Sequence, residues 1–121
     1  MGHPVRLQLS RRKGFDLQAL SLATNGLPAV SVARPGPFGN PFAVGKCGVT
    51  NAAYAVDLHR KMLAGYFALG RGPTIDEQRH SVDRTMARLS ELHGKNVACF
   101  CRLDRPCHGD VLLRLAAPSK T

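Results

Sequence analysis

The sequence predicts an α/β fold, a small domain of about three strands and three helices in the order β-β-α-α-β-α. Three observations carry that reading: an alternating apolar stretch near the start, two helical repeats bounded by caps and breakers, and a strand-loop-helix near the end. The 121 residues, 44% apolar and 21% charged, suit one domain over residues 1–121 with one core.

Val5, Leu7 and Leu9 alternate with Arg6, Gln8 and Ser10, the period-2 pattern of a half-buried strand, which Arg11, Arg12, Lys13 and Gly14 end. Phe15 to Gly26 is a mixed segment with room for one short helical turn, and Ala29 to Ala33 reads as a second strand stopping at Arg34-Pro35. The loop 34–48 then holds three prolines and four glycines, and a loop of that length points to function. Thr50 is the expected N-cap of a helix running to about Leu69, with Ala55, Leu58, Met62, Tyr66 and Leu69 along one face and Asp57 paired with Lys61 on the wet side. Gly70, Gly72 and Pro73 break it. Thr74-Ile75-Asp76-Glu77 is a capping box opening a second helix, with Ile75, Gln78, Val82, Met86 and Leu89 in line and Gly94 at its end. Val97 to Cys101 reads as the third strand, Pro106 marks a turn, and Gly109 to Ala117 reads as a last helix closed by Pro118, with 118–121 a short tail.

No apolar run approaches the roughly 20 residues that span a bilayer, and the basic Arg11-Arg12-Lys13 follows only a short alternating stretch, unlike a signal peptide. A cytoplasmic protein without a membrane partner is the expectation. Lys and Arg number 17 against 8 Asp and Glu, a net charge of +9 that favours a polyanionic partner. The excess is densest up to Lys46, where 6 basic residues face 1 acidic one.

Of 4 cysteines, Cys99, Cys101 and Cys107 lie within one short segment, too close together to staple a fold and suited to a site in a reducing compartment. On a strand, Cys99 and Cys101 point to one face. Cys107, His108 and Asp110 fall at the following helix start, where free N–H groups favour an anion and lower a thiol pKa. Cys107 is therefore the candidate nucleophile, with His108 as acid/base and Asp110 as the third catalytic candidate. The same segment has a purely structural reading, as small buried thiols and an acidic first helical turn. It also has a metal reading, zinc held by Cys99, Cys101, Cys107 and His108, although paired CxxC knuckles are absent. The Cys99 to Arg105 spacing matches a phosphatase phosphate loop, but Leu103, Asp104 and Pro106 are unfit to wrap a phosphate with backbone N–H groups.

The loop after the second strand, Arg34-Pro35-Gly36-Pro37-Phe38-Gly39-Asn40-Pro41-Phe42, offers a guanidinium, an amide and glycines that let a ligand approach the backbone. Phe38 and Phe42 are expected to plug the core instead. Cys47, His3, His59, His80 and His93 receive no functional role.

These motifs resemble the domain of unknown function family 4326, a set of short bacterial and phage proteins. The resemblance rests on Arg12-Lys13-Gly14-Phe15, on Arg34-Pro35 with Gly39-Asn40-Pro41-Phe42, and on Cys99-Phe100-Cys101 with Cys107-His108-Gly109-Asp110. It covers about Leu7 to Leu115 and departs mildly at Phe100, where many relatives carry tryptophan. It implies a compact α/β domain whose motifs form one pocket, and it supplies no activity. A more distant similarity to Rossmann-like nucleotide-binding domains places nucleotide-like ligands first.

The expectation is a pocket for a nucleotide or another phosphorylated small molecule, with Lys13, Arg34, Gly39, Asn40 and Cys101 as ligand-binding residues. The alternative is a DNA- or RNA-binding module using Arg11, Arg12 and Lys13, with the cysteines structural or zinc-bound. These residues indicate a site and a partner class but not a reaction.

Overall fold

The structure is a computed structural model that describes residues 3–34, 36–44, 51–69 and 73–117. Three strands, β1 (Arg6–Gln8), β2 (Ala29–Ser31) and β3 (Asn96–Cys99), form a parallel sheet in the order β1-β3-β2. The α/β class is the one the sequence predicts, and there is one helix more. The helices are α1 (Leu17–Asn25), α2 (Ala52–Leu63), α3 (Ile75–Arg88) and α4 (His108–Ala116), and a 3-10 turn at Leu89–Leu92 follows α3. No helix among the described residues is long and apolar enough to cross a membrane.

Strand β3 is buried along its whole length because it has a neighbour on each side and helices on each face. Register pairs Leu7 with Ala98 and Arg6 with Val97 on one side, and Ala29 with Asn96 and Val30 with Val97 on the other. One face therefore carries Leu7, Ala29 and Ala98, which pack with Leu17 of α1. The opposite face carries Val97 and Cys99, which join Val32, Phe38, Leu92, Cys107, Leu112 and Ala116 in the main core. Phe42, Ala55, Leu58 and Met62 form a second cluster where the long loop meets α2. Phe38 and Phe42 thus do plug the interior, one in each cluster.

Helix α1 replaces the single turn read from the sequence. Asp16 caps it by accepting the Ala19 N–H, and Gly26 closes it. Its inner side is polar. Asn96 of β3, fully buried, donates to Ser21 Oγ at 2.7 Å and exchanges amide hydrogen bonds with Asn25. Asn96 Oδ1 also accepts the Val5 N–H at 2.9 Å, so one amide ties α1, β1 and β3 together.

Other boundaries shift for local reasons. The α2 cap is Asn51, accepting the Tyr54 N–H; the expected cap Thr50 lies outside the described residues, as do Pro35, Cys47, Gly70, Gly72 and the tail 118–121. Helix α2 stops at Leu63 because Gly65 takes a φ of 97°, which leaves Tyr66 and Leu69 exposed beyond it. The Thr74 capping box of α3 forms as read, but the buried face holds Gln78, Ser81 and Thr85, whereas Ile75 and Met86 are exposed. Gln78 explains the rotation: its amide accepts the Ala68 N–H and donates to the Ala68 and Pro73 carbonyls, clamping the chain that precedes α3. Strand β3 ends at Cys99, so Cys101 lies past the ladder, and α4 begins at His108 with Cys107 as its cap.

Candidate functional site

Parallel pairing puts the carboxyl ends of all three strands on one edge, where α/β proteins hold ligands. The chain leaving β1 turns to α1 on one face, and the chains leaving β2 and β3 turn to α2 and α4 on the other. The crevice between them opens into a pocket of about 420 Å³. Its walls are Arg34, Asn40 and Phe42 from the long loop, Ala52, Ala55 and Val56 from α2, Cys99, Phe100 and Cys101 from the end of β3, and Arg11 and His108. Among the described residues the lining contains two arginines and no carboxylate.

Each wall is locally fixed. Asn40 donates its Nδ2 to the Ala55 carbonyl at 3.0 Å and accepts the Phe42 N–H at 2.9 Å, which pins the loop to α2. Gly39 is required beneath Arg34, since a Cβ there would lie 2.6 Å from Arg34 Cγ and 3.2 Å from its Cα. The small Ala52 and Ala55 leave the space that the pocket occupies. Arg11 stacks its guanidinium 3.9 Å from the centre of the Phe100 ring.

Three thiols converge on the pocket floor. The sulfurs of Cys99, Cys101 and Cys107 all lie within 4.8 Å of one another, a group that could hold a metal ion. Cys99 and Cys107 are in sulfur–sulfur contact at 2.6 Å, and Cys107 accepts the Gly109 N–H at 3.4 Å as the cap of α4. A hydrogen bond from Cys107 lowers the Cys99 thiol, while the same bond, with burial, pushes Cys107 up. Burial raises Cys101. Cys99 lines the pocket, while Cys107 stands behind it.

His108 is committed on one side. Its Nε2 lies 2.7 Å from the Val32 carbonyl, which can only accept, so Nε2 carries the proton and Nδ1, 3.8 Å from the Cys107 sulfur, does not. Burial lowers its pKa and keeps the ring neutral. His108 lies outside the group of three sulfurs.

The residue that the alternating pattern did not single out is Arg6. Its side chain is 8% exposed and reaches from β1 to α4. Nε donates to Asp110 Oδ1 at 3.1 Å, Nη1 to the Arg102 carbonyl at 3.2 Å, and Nη2 to the Leu103 and Arg105 carbonyls at 3.1 and 2.8 Å. Burial opposes its charge, but Asp110 and Cys107 more than offset it and raise its pKa. Gly109 lets the Arg6 stem pass, with Arg6 Cδ only 3.1 Å from where a Cβ would stand. Arg6 therefore shapes the loop that carries Cys101 and Cys107. Asp110 serves as its partner, away from the pocket lining. Lys13 and Gly39 also lie outside that lining, whereas Arg34, Asn40, Cys101 and His108 come together in it.

The model of the domain of unknown function DUF4326 matches residues 21–118. The chain belongs to this family. The match spans β2, β3, every helix-borne wall of the pocket and the three thiols, so the pocket is mostly built from the DUF4326 region; Arg6 and Arg11 precede it. No curated protein and no solved structure matches the chain at significant similarity.

Proposed function

We propose that this DUF4326 domain binds a phosphorylated, nucleotide-like small molecule in the pocket at the carboxyl edge of its sheet. One observation carries the reading: two arginines and no carboxylate line a concave site otherwise walled by small and apolar side chains. The volume falls within the range of small-molecule sites. Arg34 and Arg11 meet the phosphate, Phe100 and Phe42 supply apolar wall, and the Cys99 sulfur faces the occupant. Titration calorimetry with adenosine and guanosine mono- and diphosphates tests this. Binding is expected, and Arg34→Met, which keeps the stem packed over Gly39, is expected to weaken it at least tenfold, the scale of one lost charge-assisted hydrogen bond. Unchanged affinity in Arg34→Met, or no binding by any of the four, would overturn the reading.

The convergence of three sulfurs supports a second reading, in which Cys99, Cys101 and Cys107 hold zinc. Three thiolates suit this ion and leave a tetrahedral site one ligand short, and the Arg6 cation offsets their excess charge. Native mass spectrometry of protein expressed with added zinc is expected to show one zinc-sized increment, lost in Cys101→Ser. Protein of bare-chain mass after zinc supplementation rejects this reading.

A further inference from the structure

The pocket accounts for two of the cations at the carboxyl edge, and the same edge carries more than one small anion needs. Arg11, Arg12 and Lys13 follow β1, and Arg102 and Arg105 follow β3 on the loop that Arg6 holds. Arg12, Lys13 and Arg105 are exposed, and among the described residues none of them has an ion-pair partner; Arg102 alone is paired, with Asp104 at 2.9 Å. A nucleoside monophosphate brings one phosphate, which Arg11 and Arg34 already face. The remaining three cations suit phosphates spaced along a chain.

The second observation is the rim itself. Phe100 is 39% exposed while it lines the pocket, and the Arg11 guanidinium carbon lies over its ring, 3.9 Å from the centre. Exposed aromatic and guanidinium planes beside a cationic track are how proteins hold single-stranded nucleic acid, because every base has a face to stack. A duplex cannot bring a nucleotide into a concave site without extruding it, whereas a strand end enters freely.

We propose that the pocket takes the terminal nucleotide of a single-stranded nucleic acid, with the following phosphates running over the loops that leave β1 and β3. The proposal rests on the pocket reading above and extends it from a free nucleotide to a strand end. Arg12, Lys13 and Arg105 bind backbone phosphates, and Phe100 stacks the base next to the pocket. Arg12 and Arg105 act only on the strand.

Fluorescence anisotropy with a labelled ten-nucleotide mixed-sequence single strand, alongside calorimetry with its terminal mononucleotide, tests this. The strand is expected to bind at least tenfold more tightly than the mononucleotide in 50 mM salt. Its affinity is expected to fall with salt at a log-log slope of about −2 to −3, from three to four phosphate contacts. Excess mononucleotide should displace it. The double variant Arg12→Gln with Arg105→Gln should weaken strand binding at least fivefold and flatten its salt slope by about 1.4, leaving mononucleotide affinity and melting temperature unchanged. A strand that binds no better than an intact-affinity mononucleotide overturns this inference and leaves the pocket reading standing. A strand that binds tightly but is not displaced by mononucleotide occupies another surface and also overturns it. Absence of binding by both ligands overturns the two readings together.

Discussion

Replacing His59 with leucine is expected to give a protein more stable than the parent at neutral pH and much less sensitive to acid. His59 lies on α2, fully buried, with its ring edge-on to His108 at a centroid distance of 5.5 Å. Neither of its ring nitrogens has a hydrogen-bond partner, a condition that costs on the order of 1–3 kcal/mol and that leucine removes at similar volume. Burial, with the neighbouring His108 adding to it, lowers its pKa from 6.5 to about 3. Between those values the unfolded chain binds the proton and the folded chain does not. Stability is therefore complete above pH 6.5 and falls as the pH drops towards 3, by on the order of 3 kcal/mol at pH 4. Urea unfolding at pH 7, 5 and 4 measures this. The parent should lose stability steeply and His59→Leu should keep only the residual slope of His108, whose pKa burial also lowers. Parallel slopes in the two would show that His59 does not carry the acid response.

Arg6→Met is expected to cost about 2–4 kcal/mol, because it removes four donors' bonds at once while keeping the stem that packs over Gly109. Asp110 is half-exposed, so the ion pair contributes the smaller share. The larger share comes from the carbonyls of Arg102, Leu103 and Arg105, whose loop loses the one group that gathers it. Arg6→Lys should fall between, since a single ammonium cannot span these acceptors as a planar guanidinium does. Urea denaturation gives the loss, and nucleotide affinity should drop with it as the thiol floor loosens. A loss below about 0.5 kcal/mol would place Arg6 among ordinary surface residues.

The α/β class and the three strands were legible because Leu7 lies in an alternating stretch, and Val30 and Val97 in short apolar runs, each bounded by breakers. The convergence of the thiols was legible because Cys99, Cys101 and Cys107 flank one strand-to-helix junction. Arg6 was not, because a polar residue in an alternating strand reads as solvent-facing, and its partners lie about a hundred positions away. Helix α1 was reduced to a turn because its contacts with β3 run through Ser21 and Asn25, which carry no apolar period. On α3 the stripe was read only in part, for the same reason: Gln78, Val82 and Leu89 do face inward, but Ser81 and Thr85 are buried beside them by packing that hydropathy does not register, and Ile75 and Met86 are exposed. His59 showed no sequence neighbour to pair with, and among the described residues its ring nitrogens have no hydrogen-bond partner. Its meaning comes from burial alone.

The position of β3 between β1 and β2 also fixes when this molecule can assemble. The two outer strands never touch each other, so as the chain emerges from the ribosome neither has a partner until Asn96–Cys99 appear. Until then β1 and β2 are unpaired segments whose free backbone groups can pair with other chains. Synthesis of four residues late in the sequence then completes both ladders, and the next eleven bring in the acceptors of Arg6, so sheet and site arise in one late step rather than by gradual growth.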